Sequence, residues 1–430
     1  MNYKEALEYI EKLNIRGIKP GLSEVEKLDK LVGSPSESLS FVHVAGTNAK
    51  GSVSTYITSI LAASGYKVGT FMSPAVFDER EIISINGKPI SKPKFAHYVT
   101  KIVEALINEP DLQPTVFEFQ TVLAYLCFKG EGCDIAVVEC GMGGEGDATN
   151  IIKNTKVCVF TPIDMDHSAF LGDTVEKIAA QKSGIMKKGS ICVSARQLSE
   201  VCTVLDNRNE REGLSGVTYV DKDAVTKVKL YTSKSTFTYK HHKDVCITLL
   251  GRNQIENAAL ALEACDALLT LGYDKIKESS VKKGLEKAFL PGRFNIIAQK
   301  PYVVLDGGHN PAAAKCLCDN IDTYFADKKI IFILSMLKDK DYDKVVKMTC
   351  ERACHVITVT GPNKARALSA LELSKSVMEV NNITTAADSI HEAVEMAYLL
   401  SDKDTVVIAW GSFTHLNEVK ECVSVYFKKK

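Results

Sequence analysis

SFVHVAGTNAKGSVSTYITSILAA, residues 40–63, joins an apolar run to a small-residue turn with one lysine and then to helix-forming sequence. Phe41, Val42, Val44 and Ala45 read as a buried strand, while Val53, Ile57, Ile60 and Leu61 recur at helical spacing behind the turn. A strand that feeds a glycine turn and a helix N-terminus makes an anion cradle, because free backbone N–H groups and the helix dipole converge there. Lys50 is the candidate cation of such a cradle, and Ser52 the candidate hydroxyl on the magnesium side of a phosphate. The strict P-loop pattern is not met, since Ala49 precedes Lys50 and Gly51 separates that lysine from Ser52. An ordinary strand-to-helix turn therefore stays open on pattern alone.

The rest of the chain is long enough for two domains and apolar enough to bury their cores: 430 residues, 45% of them hydrophobic. Lys plus Arg and Asp plus Glu number 53 each, so no global field for nucleic acid or a membrane surface is expected. Thirteen cysteines are scattered without framework spacing, which points to reduced thiols in a cytosol. Cys316 and Cys318, and the Cys350, Cys354, His355 run, lack the two-residue spacing of zinc knuckles and are not read as a metal site. MNYKEALEYIEKL at the amino end is an amphipathic helix with acids in it, unlike a targeting peptide, and no run of eighteen apolar residues exists, so a soluble chain is expected.

Residues 3–31 read as two short helices around a turn at 17–21. A second strand at 67–71 ends in Ser73-Pro74, and SPAVFDEREIISINGKPIS follows as a loop and a hairpin whose turn is Asn86-Gly87. Two helices are expected over 93–129. Residues 134–138 form a short apolar strand that puts Glu139 at its carboxyl end, where open parallel sheets bind ligands and where a carboxylate suits magnesium. The alternative is a glutamate that merely caps a strand.

After a strand at 156–161 comes DMDH, residues 164–167, and then Asp173 with Glu176, which reads as a capping box for the helix TVEKIAAQKSGIMKK. On that helix Val175, Ile178, Ala179, Lys182, Ile185 and Met186 share one face, so Lys182 is the charge on an apolar stripe. A desolvated lysine has a lowered pKa and a neutral amine able to take up carbon dioxide as a carbamate; a snorkelling lysine would keep its ammonium in water. Residues 189–250 read as strands and loops with short helical pieces. The pair His241-His242 invites a metal, but strand alternation sends neighbours to opposite faces, so both are read as surface histidines.

GRNQIENAALALEACDALLTLG is the next amphipathic helix. The rhythm then restarts with strands at 302–306, 330–334, 355–360 and 405–410 and helices at 311–325, 341–351, 367–379 and 388–401, which describes a smaller doubly wound α/β domain. Asp306 and His309 lie at a strand carboxyl end before Pro311, as ligand-binding groups do; an aspartate that only accepts backbone bonds is the alternative.

AGTNAKGS resembles the AGTNGKGS loop of the Mur ligase superfamily, in its folylpolyglutamate synthase and dihydrofolate synthase branch, and departs from it only at Ala49, which must take a backbone shape usually given to glycine. The similarity continues through Ser73-Pro74, Glu79-Arg80-Glu81-Ile82, Ile85-Asn86-Gly87-Lys88, ECGMGGEGDATN, DHSAFLGDT with KSGI, Asn257, PGRF with DGGHNP, SMLKDKD, PNKARALSA and AWGSF. Glu145, Gly146 and Asn253 depart from the family pattern.

The resemblance implies an α/β fold: a P-loop ATPase domain of Mur ligase type over 1–296, carrying the folate loops, and a Rossmann-like glutamate-ligase domain over 297–430, with Pro291-Gly292-Arg293 as hinge. It implies ATP contacts at Gly46, Thr47, Asn48, Ala49, Lys50, Gly51, Ser52, Asn257, Arg293, Asp306 and His309. Two magnesium ions are expected on Ser52, Ser73, Glu139, His167 and a carbamylated Lys182, with potassium a further candidate ion. Lys50, Lys182 and His167 carry the catalytic roles, and Phe77, Arg80, Asp147, Thr149, Asn150 and Ser412 face substrates. The implied reaction is ATP-dependent attachment of L-glutamate to dihydropteroate or reduced folates through an acyl phosphate, by a cytoplasmic monomer that binds neither nucleic acid nor membrane. A Mur-type ligase for another acceptor, such as a cell-wall UDP-sugar peptide, and a nucleotide-dependent binding protein without turnover are the alternatives.

Overall fold

In the computed structural model, residues 1–13, 17 and 21–427 are described. The turn expected at 17–21 thus lies mostly outside them, but its two flanking helices are present as α1 (Tyr3–Lys12) and α2 (Ser23–Leu31). Two compact units result. The first comprises Met1–Val228, Thr236–Ile247 and Ile255–Ala288; the second comprises Lys229–Ser235, Thr248–Gln254 and Phe289–Lys430.

The first unit is built on an eight-stranded sheet. Its strands are β1 (Phe41–Ala45), β2 (Val68–Phe71), β3 (Ile83–Ile85), β4 (Lys88–Pro89), β5 (Ile135–Glu139), β6 (Thr155–Phe160), β7 (Ile191–Ser194) and β8 (Val217–Tyr219), in the order β4-β3-β2-β5-β1-β6-β7-β8. β1 lies between β5 and β6, parallel to both, and every one of its residues is buried, as a strand covered on both faces requires. The Asn86-Gly87 turn joins β3 to β4 with both residues at positive φ, 52° and 72°, which is the backbone a two-residue hairpin needs.

Helices α3 (Lys50–Ala63), α4 (Lys92–Leu106), α5 (Val116–Gly130), α6 (Ser168–Leu171), α7 (Val175–Ser183), α8 (Ser199–Arg211), α9 (Arg252–Thr270) and α10 (Glu278–Lys287) follow in chain order. One core gathers α1, α2, α4 and α5, with Phe41, Phe71 and Val138 from the sheet; another gathers α7 and α8 with Ala45, Phe160 and Cys192. α3 and α10 pack so closely that a Cβ on Gly284 would stand 2.5 Å from the Ile60 backbone. A small sheet in the order β11-β10-β9, made of β9 (Val225–Leu230), β10 (Ser235–Tyr239) and β11 (His242–Ile247), completes this part of the chain.

The second unit has a six-stranded sheet of β12 (Asn295–Gln299), β13 (Tyr302–Asp306), β14 (Lys329–Leu334), β15 (His355–Thr358), β16 (Thr384–Ala386) and β17 (Thr405–Trp410), ordered β12-β13-β17-β14-β15-β16. Only β12 is antiparallel to its neighbour. Its helices are α11 (Pro311–Tyr324), α12 (Tyr342–Thr349), α13 (Ala370–Met378), α14 (Ile390–Leu400) and α15 (Leu416–Tyr426).

Several local expectations change. α7 is capped by Thr174, whose hydroxyl accepts from the Lys177 N–H, not by Asp173, which instead pairs with Lys177 Nζ at 2.7 Å. The box shifts by one residue because the hydroxyl reaches the amide three residues on, and at that spacing stands a lysine. α8 is a thirteen-residue helix where only short helical pieces were expected, and β12, β16 and α15 were not anticipated. β16 is too short to show a period of two, and tertiary pairing with β15 defines it.

Candidate functional site

At the end of β1 the chain turns through Gly46, at φ 153°, where an added Cβ would lie 1.8 Å from Thr161 Oγ1. Ala49 adopts φ 67°, the left-handed conformation the family loop normally gives to glycine, and from it α3 starts at Lys50. Ala49 therefore takes the left-handed backbone expected of that position. Thr47 ties the loop to the next crossover, its N–H donating to Pro162 O at 2.9 Å and its hydroxyl to Asp164 O at 2.9 Å.

Two lysines converge here. Lys50 Nζ donates to Gly46 O at 3.2 Å and Thr47 O at 3.3 Å, and stands 3.9 Å from Glu139 Oε1. Lys182, buried on the apolar face of α7, donates from Nζ to Gly46 O at 2.8 Å. Burial, and then the nearby Lys50 charge, push its pKa down to about 7. The snorkelling reading is thereby overturned: the side chain is buried and its Nζ is turned to the Gly46 carbonyl, not to water. Glu139 is buried at the carboxyl end of β5, in register with Val44, which removes the reading of a surface strand cap.

Ser52 and Glu139 are buried oxygen donors beside this loop, a hard donor set of the kind magnesium prefers, so the residues fit the ion the family implies. His167 sits at φ 50° before α6, partly exposed, with Nε2 3.6 Å from Asp166 Oδ2. Asp166 acts electrostatically on Lys182 and was given no role in the sequence reading, although it lies inside the DMDH run. Ser73 is half-buried after β2, joined to Pro74 by a cis peptide.

The remaining substrate candidates divide. Asp147 caps the turn at Ala148–Ile151: its carboxylate accepts from Met142 N, Thr149 N and the Thr149 hydroxyl, and burial pushes its pKa up. Thr149 Oγ1 also meets His43 Nε2 at 2.9 Å; His43, unnoticed in sequence, is buried in β1, which pushes its pKa down to about 3. Asn150 donates to Glu145 O and Gly184 O. All three side chains are buried. Glu145, a departure from the family pattern, stands 3.5 Å from Arg208 Nη1 as an ion pair.

Arg80 forks onto Asp78 at 2.9 and 2.7 Å and donates to Ile90 O, so it is not a solvated loop charge. Its guanidinium lies 5.9 Å from the Tyr3 ring, which brings α1, assigned no chemistry from sequence, against this loop. Glu81 Oε2 accepts from the Val76 and Phe77 N–H groups and so shapes the segment that presents Phe77. Asn257 is buried in α9.

In the second unit, β13 and β17 are parallel neighbours that bring Asp306 beside Trp410. Asp306 Oδ1 accepts from Gly308 N at 2.7 Å; burial pushes its pKa up while the Arg293 charge opposes this. Arg293 lies over the Phe413 ring at 4.6 Å, and the His309 ring meets the same ring edge-on at 6.1 Å. Phe413, missed as a site residue, organises the cluster: a Cβ on Gly307 would stand 2.1 Å from it. Ser412 is buried and shares a 3.0 Å hydroxyl bond with Thr414, and His415 beyond it is fully buried.

Both histidines of the 241–242 pair point at Asp266, contrary to the expected opposite faces. Lys240 at φ 49° makes the β10–β11 turn, so His241 is a turn residue and alternation does not apply; His242 is moreover buried. Among the described residues, these with Asp266 form the group of three His, Cys, Asp or Glu side chains whose ligand atoms come within 4.8 Å of one another. Among the described residues, no helix is long and apolar enough to cross a membrane.

Residues 44–265 match the Mur ligase middle domain and 292–413 the Mur ligase glutamate ligase domain. The dihydrofolate synthase/folylpolyglutamate synthase of Bacillus subtilis is 31% identical over 97% of this chain and 98% of its own length. A solved Mycobacterium tuberculosis folylpolyglutamate synthase complexed with ADP superposes with a TM-score of 0.89 at 28% identity, covering 99% of each chain. The E. coli FolC in complex with DHPP and ADP superposes with a TM-score of 0.86 at 26% identity, covering 100% of this chain and 99% of its own. With loop, lysines and strand-end acids arranged as described, the chain belongs to the folylpolyglutamate synthase/dihydrofolate synthase family of Mur ligases.

Proposed function

We propose that this enzyme joins L-glutamate to a folate-type carboxylate at the expense of ATP, releasing ADP and phosphate. The observation that carries the reading is the convergence of Lys50 and Lys182 on the Gly46 carbonyl, with Glu139 beside Lys50. An oxygen of the acceptor carboxylate attacks the γ-phosphorus of ATP and ADP leaves; the glutamate amine then attacks the acyl carbon, loses a proton, and phosphate departs. A carboxylate is a poor electrophile, and phosphorylation supplies its leaving group.

Residues 1–296 serve ATP and pterin in this reading, and residues 297–430 serve glutamate ligation. Gly46 to Ser52 cradle the phosphates, Lys50 offsets charge on the transferring phosphoryl group, and Asn257, Arg293, Asp306 and His309 are further nucleotide contacts. Ser52, Ser73 and Glu139 would hold one magnesium ion, and His167 with carbamylated Lys182 a second; bound there, magnesium neutralises phosphate charge. Potassium is a further candidate. The Lys182 amine, with its pKa near 7, has the neutral fraction that carbamate formation needs. Phe77 and Arg80 face the pterin, and Ser412 is the remaining substrate contact. We read the enzyme as a cytoplasmic monomer; its thirteen free cysteines and balanced charge support that compartment and argue against nucleic acid as a partner.

The test is phosphate release from ATP with magnesium and L-glutamate, comparing dihydropteroate with tetrahydrofolate and scoring glutamylated product by mass. Product from either establishes the ligase and its acceptor. ATP binding with product from neither overturns the folate reading.

A further inference from the structure

His241 and His242 stack with ring centroids 4.0 Å apart and planes 38° apart at the β10–β11 turn. Their Nε2 atoms stand 3.6 and 3.3 Å from Asp266 Oδ1 on α9. All three potential ligand atoms lie within 4.8 Å of one another. On its far side, His242 Nδ1 meets Glu278 Oε2, at the start of α10, at 2.8 Å.

We propose that His241 Nε2, His242 Nε2 and Asp266 Oδ1 form a binding site for a zinc-class divalent transition metal, separate from the nucleotide loop. The distances suit the ion. Zinc bonds to nitrogen and oxygen of about 2.0–2.1 Å, arranged tetrahedrally, put neighbouring ligand atoms about 3.3–3.4 Å apart. The two nitrogen-to-oxygen separations are already close to that edge. Two imidazoles and one carboxylate select zinc-like ions over magnesium, which wants oxygen alone.

Glu278 supplies the outer partner such sites use. By accepting the Nδ1 proton of His242, it fixes the tautomer that leaves Nε2 free to ligate and holds the ring in place. His242 is buried and Asp266 partly so, whereas His241 is exposed, so the fourth position opens to water. An ion-pair cluster alone accounts for His242 between two carboxylates. It gives the exposed His241 no reason to turn its own Nε2 to the same oxygen and stack on its neighbour. One ion bound here clamps the hairpin to α9 directly and to α10 through Glu278.

The experiment uses the full chain with saturating magnesium and ATP, titrated with cobalt(II) as a spectroscopic probe and then with zinc. Wild type is expected to take up one cobalt with the intense visible bands of tetrahedral coordination, displaced by zinc. His241→Ala and Asp266→Asn are expected to lose at least about 100-fold in affinity. His241 is exposed, so H241A should unfold at the same temperature as wild type in metal-free buffer, and only wild type should gain stability on adding zinc. Absence of tetrahedral bands in wild type, or unchanged zinc affinity in H241A, overturns the proposal and leaves an ion-pair cluster.

Discussion

Lys182 Nζ donates a 2.8 Å hydrogen bond to the carbonyl of Gly46, 136 residues away in sequence, and so fastens α7 to the phosphate loop. Its pKa, about 7 against an ordinary 10.5, means that between those values the unfolded chain holds one proton more than the folded one. Stability contributed through this group therefore rises with pH from about 7 to 10.5, and its full penalty is present below 7. Lys182→Met should be more stable than wild type near pH 7 by a few kcal/mol, since each tenfold loss of proton affinity corresponds to about 1.4 kcal/mol, with the gap closing towards pH 10. Urea unfolding in bicarbonate-free buffer at several pH values checks this. The same variant should lose ligation by at least about 100-fold, as loss of a charge-stabilising group does. Wild-type activity should fall in carbon dioxide-free buffer and recover with bicarbonate.

Ala49 occupies a left-handed backbone position that costs an L-residue about 1–2 kcal/mol, while glycine there gives back about 0.5–1 in chain entropy. Ala49→Gly should thus change stability by between zero and about 1.5 kcal/mol in the stabilising direction and keep ATP affinity, whereas Ala49→Val, β-branched, should lose about 2 kcal/mol or more and bind ATP poorly. Gly46→Ala should abolish ATP binding outright, because its Cβ meets Thr161. Nucleotide titration calorimetry with urea unfolding separates the three.

Glu145 and Arg208 pair at 3.5 Å with Glu145 more than half exposed, so the bond itself contributes about 1 kcal/mol at most. Glu145→Arg should lower stability by about 0.5–1 kcal/mol through like-charge contact, and Arg208→Gln in the same chain should recover part of it, the rest being the 2.9 Å Arg208–Glu212 pair that this change also removes. Partial recovery in the double variant, read by thermal unfolding at low salt, is the expected result. Losses that simply add would show that the pair is not coupled.

Phe413 lies under Arg293 and fills the space that Gly307 leaves. Phe413→Leu keeps much of that volume but removes the ring face beneath the guanidinium, a contact worth about 1–2 kcal/mol when desolvated. If Arg293 holds nucleotide, KM for ATP should rise about tenfold with kcat little changed. Steady-state kinetics with glutamate and pterin saturating measures both.

Contiguous chemistry was legible in the chain. The loop from Gly46 to Ser52, Glu139 at the end of an apolar strand, and the restart of strand and helix after residue 300 are all written in neighbouring residues, because turn geometry, strand burial and helix periodicity are local properties. Even the demand on Ala49 followed from one missing glycine. Relations between segments were not legible. Whether Lys182 reaches water or the Gly46 carbonyl depends on how α7 lies against the loop, and whether Arg80 is solvated depends on Asp78, close in sequence but aimed by the loop's fold. Asp147, Thr149 and Asn150 matched a functional motif, and only the fold shows their buried side chains bonded to the protein's own groups: Asp147 to the Met142 and Thr149 amides, Thr149 to Asp147 and His43, Asn150 to the Glu145 and Gly184 carbonyls. His241 and His242 show the limit most sharply. Strand alternation separates them on paper, and one left-handed residue, Lys240, places both on Asp266 because backbone sign at a turn is decided by the sheet it closes.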